Sequence, residues 1–528
     1  MPFDAIVIGS GFGGAVSACR LAEAGLSVLV LERGRRWDPS NFPRQPDDAW
    51  LWNHDAPERE NGWLDFRAFP GMAVAQGAAV GGGSLIYANI SCEAPPSAFA
   101  SGWPAEITYS DLKPCYDKVA SFMNVQPVPD NQWTERMKLM RDAANAAGFG
   151  DRFRKLDLAV TFDPAWTYEA DFGRGVAASR AHLNQHGSPQ GTCVHLGNCD
   201  IGCDVLAKNT LDRNYLYVAE NKCHAEIRPL HLVDRIERQA DRSYRVYFDR
   251  LDSGQRVPGS ESARLVIIAA GSLGSTELLL RNRDVHRTLP DVSCTLGKNW
   301  SGNGDFLTPA FYADRNVQPS RGPTIAAAID FLDSSQAGQS FWIEDGGLPD
   351  LAVSYLLRKS DDPTTTFKTK MILDSLRVFL RSTEPLRNMM PWFAQGVDAG
   401  NGTFRLTQPD LFSSGGKLQL DWDISRSRAL IDAIVAMHER LSDVTGGAAI
   451  VPPTWSIFKD LVTPHPLGGC NLGNTRDTGV VDHRGEVFGY PNLFVIDGAM
   501  IPRALGVNPS RTIAALAERA AALIVKPT

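Results

Sequence analysis

The sequence lacks the features that mark several large protein classes. Its 528 residues carry a formal net charge of −7, and no run of Lys or Arg forms a basic patch, so we expect no nucleic-acid partner. No stretch reaches the roughly 18 consecutive apolar residues of a membrane-spanning helix, although the composition leaves peripheral contact with a lipid surface open. The N-terminus enters an apolar run at Ala5 without the basic start of a secretory signal. We therefore expect a cytoplasmic protein.

Cysteine is scarce and scattered. The chain has nine cysteines, an odd number, which favours reduced thiols over a disulfide framework. Cys193, Cys199 and Cys203, with His195 nearby, follow a C-x5-C-x3-C spacing that matches neither a zinc ribbon nor the common iron–sulfur runs. We therefore predict no metal site, and a disulfide or a cluster of buried thiols remains open for these three residues.

The first 34 residues have a β-α-β pattern with a glycine-rich turn. An apolar run from Ala5 to Ile8 precedes the turn, a helical stretch follows it, and a second apolar run from Val28 to Leu31 ends at Glu32. The G-x-G-x-x-G glycines of the turn are Gly9, Gly11 and Gly14. Such glycines let the backbone approach a pyrophosphate at the helix N-terminus, and the carboxylate accepts hydrogen bonds from ribose hydroxyls. The motif predicts a dinucleotide site that disfavours a 2′-phosphate, but it does not separate FAD from NAD.

Later segments predict that two domains are interleaved along the chain. A strand over 265–270, a glycine turn and a helix return the chain to a nucleotide-binding layout, and a strand over 493–496 with a helix over 511–525 rejoins it at the end. Alternating segments between 310 and 425, including one over 351–357, predict a mostly antiparallel sheet. The predicted fold class is α/β, with a Rossmann-like domain interleaved with a substrate domain built on that sheet and on helices.

We assign residues 1–45, 70–100, 205–310 and 460–528 to the nucleotide-binding domain, and residues 46–69, 101–204 and 311–459 to the substrate domain and its lid. Two local expectations belong to these segments. Ser110 or Asp111 is expected to cap a helix that runs to about residue 124. Residues 225–233 and 244–248 are expected to form a β-meander.

A second glycine run stands at Gly81, Gly82 and Gly83, followed by Ser84, where close approach of the backbone to a ligand is the expected reason. This run lies in one of several segments that together resemble the glucose-methanol-choline (GMC) oxidoreductase family, within it the cholesterol-oxidase-like branch. The matching segments include IVIGSGFGG, GAAVGGGSLIYAN, AKNTLDRNYL, VIIAAGSLGSTELLL, HPLGGC, PNLFVIDGAMIP and GVNPSRTIAALAER. The resemblance implies bound FAD.

The resemblance also implies which residues contact FAD. The run Gly81, Gly82, Gly83 and Ser84 would lie along the flavin and its diphosphate, the Val233 backbone and the Gly271 turn near the adenine, and Asp497 and Gly498 near the ribityl chain and diphosphate. By its Asp-Gly sequence alone, Asp497 could instead be a turn or cap residue, but its place after an apolar strand favours the cofactor. Some family members attach FAD covalently through a histidine after the glycine run, but this chain has Leu85, Ile86 and Tyr87 there. We therefore predict non-covalent FAD.

Two side chains are candidates for catalysis. His465 stands between two prolines and before two glycines, and the resemblance places it at the family's active-site position. Imidazole suits the removal of a hydroxyl proton, although a lone histidine is also commonly structural. Asn508, before Pro509, matches the second active-site position, where its amide would hydrogen-bond the substrate hydroxyl. An Asn-Pro turn that opens the following helix explains the same residues, and both roles can coexist.

Glu344 is a third candidate. It aligns with the acid that cholesterol oxidases use as a base for steroid double-bond isomerisation, but Asp345 and two glycines follow it, as in a solvated loop. If Glu344 is buried near Phe341 and Trp342, desolvation should raise its pKa.

The expected reaction is oxidation of the CH–OH group of a hydrophobic alcohol, sterol-like or long-chain. His465 would take the hydroxyl proton, the hydride would pass to flavin N5, and oxygen or another acceptor would reoxidise the flavin. The alternatives are non-oxidative chemistry on the same fold (a lyase, an isomerase or a photodecarboxylase) and a flavin-binding protein without catalysis.

Overall fold

The computed structural model describes residues 3–45, 48–350, 387–407, 416–457 and 459–525. The strand predicted over 351–357 lies outside this range. The described helices are α1 (Phe12–Glu23), α2 (Tyr109–Phe122), α3 (Glu135–Ala146), α4 (Tyr215–Asn221), α5 (Gly271–Leu280), α6 (Arg428–Asp443), α7 (Pro453–Ser456) and α8 (Ser510–Val525).

The described strands from the first half of the chain are β1 (Ala5–Ile8), β2 (Val28–Leu31), β3 (Leu64–Phe69), β4 (Met72–Gly77), β5 (Gln126–Pro127), β6 (Phe153–Lys155), β7 (Asp157–Leu158), β8 (His182–Leu183), β9 (Pro189–Gln190), β10 (Glu226–Arg228), β11 (His231–Arg238), β12 (Tyr244–Asp252) and β13 (Gln255–Ala263). Those from the second half are β14 (Leu265–Ile268), β15 (Phe306–Tyr312), β16 (Ala327–Gln336), β17 (Gln339–Asp345), β18 (Met389–Gly396), β19 (Thr403–Leu406), β20 (Leu418–Asp421), β21 (Gly447–Ala449), β22 (Leu461–Thr463) and β23 (Leu493–Val495).

A five-stranded parallel sheet forms the nucleotide-binding unit. Its order is β10-β2-β1-β14-β23, and every neighbouring pair is parallel. Strands β1, β2 and β14 are buried along their whole length, as expected for a parallel sheet covered on both faces. Helix α1 packs against α4 and against the C-terminal helix α8. The predicted Rossmann-like fold is therefore confirmed.

The second large sheet is antiparallel and has six strands, in the order β21-β15-β18-β17-β16-β6. Helix α6 packs on β15 and β17, and α3 packs on β16. The predicted mostly antiparallel sheet is thus present. The domain boundaries themselves stay a prediction, and β15 runs across the boundary that we set at residue 310.

A smaller sheet, β22-β4-β3, pairs the strand before the second glycine run with the strand before His465. Strand β4 ends just before the glycine run at residue 81, and β22 pairs with it in parallel just before His465. This pairing places a segment from the end of the chain beside one from its beginning.

Two local expectations were wrong. Residues 226–228 do not belong to a meander: they form the edge strand β10 of the parallel sheet, while the meander consists of β11, β12 and β13. The cap of α2 is Thr108, whose side chain accepts from the Asp111 backbone N–H while Asp111 bonds back to Thr108. This reciprocal capping box begins the helix earlier than a cap at Ser110 would.

Among the described residues, none of the helices has both the length and the apolar content needed to cross a membrane.

Candidate active site

A single continuous cavity of about 1060 Å³ joins the glycine turn after β1 to His465 and Asn508. Sites for drug-sized ligands usually measure about 300–1,000 Å³. The volume therefore suits a dinucleotide and a second molecule at its far end.

Backbone turns without side chains form the nucleotide end. Gly9 has φ +96°, and a Cβ there would lie 2.3 Å from the Ala269 carbonyl oxygen. Gly11 lines the cavity with nothing within 4 Å of its ideal Cβ position, so a side chain there would enter the cavity. Helix α1 begins directly after it, with no side-chain cap and no acidic residue in its first turn. Its free N–H groups and the positive end of its dipole favour an anion such as a diphosphate.

The third glycine of the motif has a different role. Gly14 does not line the cavity; its Cβ would lie 2.0 Å from the Gly9 carbonyl oxygen. It therefore allows α1 to pack closely against the turn that follows β1.

Glu32 lines the cavity, is 5% exposed, and accepts hydrogen bonds from two backbone N–H groups and one hydroxyl. Its Oε2 accepts from the Ser10 N–H at 2.9 Å and from the Ser10 hydroxyl at 2.7 Å, and its Oε1 accepts from the Gly34 N–H at 2.9 Å. A carboxylate has about four lone-pair positions, so this one keeps acceptor capacity for a ribose hydroxyl.

The second glycine run packs against the first. Gly82 begins a 3-10 turn that ends at Leu85, and its Cβ would lie 2.6 Å from the Gly11 Cα. Gly82 and Gly83 line the cavity, whereas Gly81 and Ser84 do not. The Ser84 hydroxyl donates to the Gly81 carbonyl and accepts from the Leu211 N–H. These two residues therefore shape the turn, and their contact with cofactor stays a prediction.

Asp497 closes the opposite wall. Its Oδ2 accepts from the Gly271 N–H at 2.8 Å and from the Ser275 hydroxyl at 2.5 Å. Burial raises the pKa of this carboxyl to about 6, although its hydrogen bonds act in the opposite direction. Its other oxygen accepts from the Ala499 N–H. Asp497, Gly498, Gly271 and Val233 all line the cavity, as the predicted contacts require.

His465 lines the far end of the cavity and is held from behind by Asp305. Its Nδ1 lies 2.9 Å from Asp305 Oδ1 and 3.0 Å from Oδ2. Because a carboxylate accepts hydrogen bonds, we assign the proton of the neutral ring to Nδ1 and the lone pair to Nε2. Burial raises the pKa of Asp305, and the neighbouring imidazole opposes that rise. Thr463, at the end of β22, donates to Asp305 Oδ2 at 2.6 Å.

Asn508 lines the same end of the cavity and is 5% exposed. It lies in the loop before α8, and the preceding residues of this loop are hydrogen-bonded to Asn303. The Asn303 Oδ1 accepts from the Leu505 and Gly506 N–H groups at 2.9 and 3.0 Å, and its Nδ2 donates to the Val507 carbonyl at 2.9 Å. The Cys92 thiol approaches the Asn508 carbonyl oxygen at 3.6 Å.

Glu344 is fully buried on β17 and does not line the cavity. Its Oε2 accepts from Gln395 Nε2 at 2.9 Å, whereas Oε1 has no partner of normal hydrogen-bond geometry. Burial raises its pKa well above the ordinary value; the Gln395 and Asn508 side chains favour the charged form, and Asp305 disfavours it. The solvated-loop alternative is therefore wrong, and the expected rise in pKa is present. The carboxyl stands behind Asn508 instead of facing the cavity.

The side chain after Glu344 is also buried. Arg136 and Asp345 form an ion pair with both side chains fully buried. The Arg136 guanidinium also donates to the backbone carbonyls of Arg321, Pro323, Thr324, Asp345 and Gly346. Asp345 Oδ1 accepts from the Ala326 and Ala327 N–H groups. Burial raises the pKa of Asp345 to about 6 against the effect of Arg136. These contacts hold two segments of the cavity wall, at residues 324–325 and 346–349.

Asp305, Asn303 and Arg136 were not predicted as site residues from the sequence. Asn303 and Asp305 belong to an Asn-Gly-Asp sequence before an apolar run, but such a sequence is typical of an ordinary turn and does not indicate a site. Their partners lie far along the chain, so residue spacing could not identify them.

The three neighbouring cysteines are free thiols. His195 is not available as a ligand, because its Nδ1 bonds the Tyr168 hydroxyl and its Nε2 bonds Gln132, while its ring stacks on Trp166. No group of histidine, cysteine and acidic side chains in the described ranges could hold a metal ion.

Comparisons with known proteins agree with this arrangement. Residues 7–37 match the model of the NAD(P)-binding Rossmann-like domain, and residues 404–517 match that of the GMC oxidoreductases. The chain is 31% identical to a cholesterol oxidase of Acinetobacter baumannii, over 99% of this chain and 94% of the relative. It is 24% identical to a long-chain-alcohol oxidase of Arabidopsis thaliana, over 97% of this chain and 65% of the relative. The crystal structure of pyridoxine 4-oxidase from Mesorbium loti has the same fold, with a TM-score of 0.63, 17% identity and 99% of both chains covered.

The fold and the cavity define an oxidoreductase with a dinucleotide cofactor. The chain belongs to the GMC oxidoreductase family, in its cholesterol-oxidase-like branch, and its cofactor is FAD. The site fits this group. Gly11 and Gly83 leave open space where any side chain would intrude, the uncapped end of α1 suits the diphosphate, and Glu32 suits a ribose.

Proposed function

We propose that the protein oxidises the CH–OH group of a hydrophobic alcohol, with His465 as the base. The observation that carries this proposal is the pairing of His465 Nδ1 with the buried carboxylate of Asp305 at 2.9 Å. The pairing leaves Nε2 to accept the hydroxyl proton and stabilises the imidazolium that forms. FAD supplies the hydride acceptor.

Asn508 complements the base. Its side-chain amide can donate a hydrogen bond to the alcohol oxygen and so orient the carbinol hydrogen. Glu344, behind Asn508, acts as a neutral acid that supports this amide, and its contact with substrate is not required for oxidation. Non-covalent binding of FAD is supported by the residues after the glycine run, which include no histidine.

The wall of the far end supports a hydrophobic substrate. Apolar side chains line it together with Thr324: Leu307, Ile325, Leu348, Pro349 and Phe393. The relatives named above are oxidases of a sterol and of long-chain alcohols, which suits such a wall. Their names also favour oxygen as the acceptor that reoxidises the flavin, with another acceptor as the alternative.

A dark anaerobic titration tests the proposal. The holoenzyme is mixed with cholesterol, a long-chain primary alcohol, a sugar or an aryl alcohol, and the flavin absorbance is followed. We expect bleaching with at least one of the first two, and a return of colour when oxygen or an artificial acceptor is added. His465→Asn should slow the bleaching by about 10²–10⁴-fold, whereas His182→Asn, at an exposed histidine, should not.

The alternatives give different results. A lyase or an isomerase would convert its own substrate in the dark without net bleaching, and a photodecarboxylase would convert its substrate only in the light, again without net bleaching. A flavin-binding protein without catalysis would bleach with none of the alcohols, and replacing His465 would change nothing measurable.

A further inference from the structure

One short turn contacts the segments that carry both His465 and Asn508. This Ser301–Asp305 turn precedes β15, and neither Asn303 nor Asp305 lines the cavity. The Ser301, Asn303 and Asp305 side chains are between 0% and 2% exposed. The turn therefore lies one layer behind the side chains that face the cavity.

Both the oxygen and the nitrogen of the Asn303 side-chain amide bond to the loop that carries Asn508. Its oxygen accepts two backbone N–H groups, from Leu505 and Gly506, and its nitrogen donates to the Val507 carbonyl. The residue adopts a left-handed backbone with φ 56°, which asparagine tolerates better than most residues. The position thus suits asparagine in both its backbone and its side chain.

Asp305 makes the corresponding contacts with the segment that carries His465. One carboxylate contacts the ring Nδ1 and accepts from Thr463, whose hydroxyl oxygen also accepts from the His465 backbone N–H. Both the ring and the backbone of His465 are therefore fixed relative to the turn.

The turn is itself held rigidly. The buried Asp398 accepts from the Ser301 hydroxyl at 2.7 Å and from the Gly302 and Gly304 N–H groups at 3.0 and 3.3 Å. Gly304 has φ +63°, and a Cβ there would lie 2.6 Å from the Gly396 carbonyl oxygen. Few other conformations are open to a turn held by these contacts.

We propose that the Ser301–Asp305 turn is a bracket that sets the relative placement of His465 and Asn508, with Asp305 and Asn303 as positioning residues. The inference rests on the proposed function, because it assigns these residues to alcohol oxidation. Asp305 acts through the tautomer and orientation of the imidazole. Asn303 acts through the loop that presents the Asn508 amide. A misplacement of about 1 Å can cost about 10²-fold in rate, so each residue should affect turnover without touching substrate.

The first test observes the imidazole directly. In the oxidised holoenzyme with ¹⁵N-labelled histidine, with the His465 signals assigned by their loss in His465→Asn, we expect the neutral ring to carry its proton on Nδ1. Asp305→Asn should shift the population towards the Nε2–H form. Glu518→Gln, which alters a buried carboxyl between α1 and α8, should leave the ring unchanged. This readout needs no substrate, so it stands even if no alcohol reduces the flavin.

The second test is kinetic. Asp305→Asn should lower the rate of anaerobic flavin reduction by about 10²-fold or more, with KM changed by less than about threefold. Asn303→Ala should lower the rate by about 10-fold or more and leave the His465 tautomer intact. Its control is Asn282→Ala, because the fully buried Asn282 amide likewise accepts two hydrogen bonds and donates one, with partners at Ile236, Thr288 and Leu278.

Two results would overturn the bracket: an unchanged tautomer in Asp305→Asn, or a rate in Asn303→Ala no lower than in Asn282→Ala. If Asp305→Asn does not fold, Thr463→Val replaces it. This variant loses the hydrogen bond to Asp305 and the one from the His465 backbone N–H, and it should shift the tautomer and the rate in the same direction by a smaller factor. An unchanged tautomer and rate in Thr463→Val would also count against the proposal.

Discussion

Arg136 offers the sharpest test of what holds the antiparallel sheet at the cavity wall. Its side chain is fully buried, pairs with the fully buried Asp345, and donates to five backbone carbonyls. Arg136→Met fills similar space but leaves Asp345 and the carbonyls without these donors. Removing one partner of a buried ion pair costs about 3–5 kcal/mol. At an unfolding entropy of about 2 cal/mol/K per residue, this corresponds to a fall in Tm of about 3–5 °C if the chain unfolds as one unit.

The matched control is Arg152→Met, in the 3-10 turn just before β6. Arg152 pairs with Asp333, but these side chains are 26% and 54% exposed, so the loss should stay below about 1 kcal/mol. Calorimetry of the holoenzyme, with flavin fluorescence as a second probe, measures both variants. Equal shifts in Tm for the two would refute the argument that buried contacts of Arg136 hold the cavity wall.

Three further outcomes are expected. Gly11→Val places a side chain in the cavity and should abolish FAD binding, measured as the flavin-to-protein absorbance ratio. The control Gly173→Ala, where the added Cβ has open space, should bind FAD normally. A normal ratio in Gly11→Val would count against the assigned diphosphate site. Burial lowers the pKa of His438 to about 3. Below about pH 6.5 the unfolded chain therefore binds a proton at this residue that the folded chain does not bind. Relative to His438→Gln, the free energy of unfolding of the wild type should fall by up to about 1.4 kcal/mol per pH unit between pH 6.5 and 3. Urea unfolding at several pH values measures that difference, and a pH-independent difference would show that His438 is protonated in the fold. Glu344→Gln should keep the rate of flavin reduction within about threefold of the wild-type rate, because Glu344 is buried and neutral behind Asn508. A loss of about 10²-fold in this rate would make Glu344 a participant in the oxidation.

Much of the nucleotide-binding unit could be predicted because its signals are local. Apolar runs, a glycine turn and a carboxylate follow one another within 34 residues, and both strands there were predicted with their observed bounds. Glu226–Arg228 was assigned wrongly because a three-residue edge strand has no periodicity that separates it from the meander after it. The Thr108 cap was missed because Ser110 and Asp111 stand close by and have similar capping preference.

The residues of the candidate site were harder to predict from the sequence. His465 and Asn508 could be named because motifs around them resemble a known family. Asp305 and Asn303 could not, since their importance comes only from partners that the fold brings together from distant segments. Glu344 shows the same limit, because its alignment suggested a contact with substrate, but burial on β17 places it behind Asn508.

The contact between α1 and elements far along the sequence has a consequence for synthesis on the ribosome. Strand β23 completes the parallel sheet beside β14, and α8 rests on α1, where Glu518 pairs with Arg20 at 2.6 Å. Both elements are translated long after α1, as are the segments of His465 and Asn508. A nascent chain therefore exposes the apolar face of α1 until residues 493–525 have been translated. Flavin incorporation should follow the synthesis of these segments, and products truncated before them should be colourless and prone to aggregate.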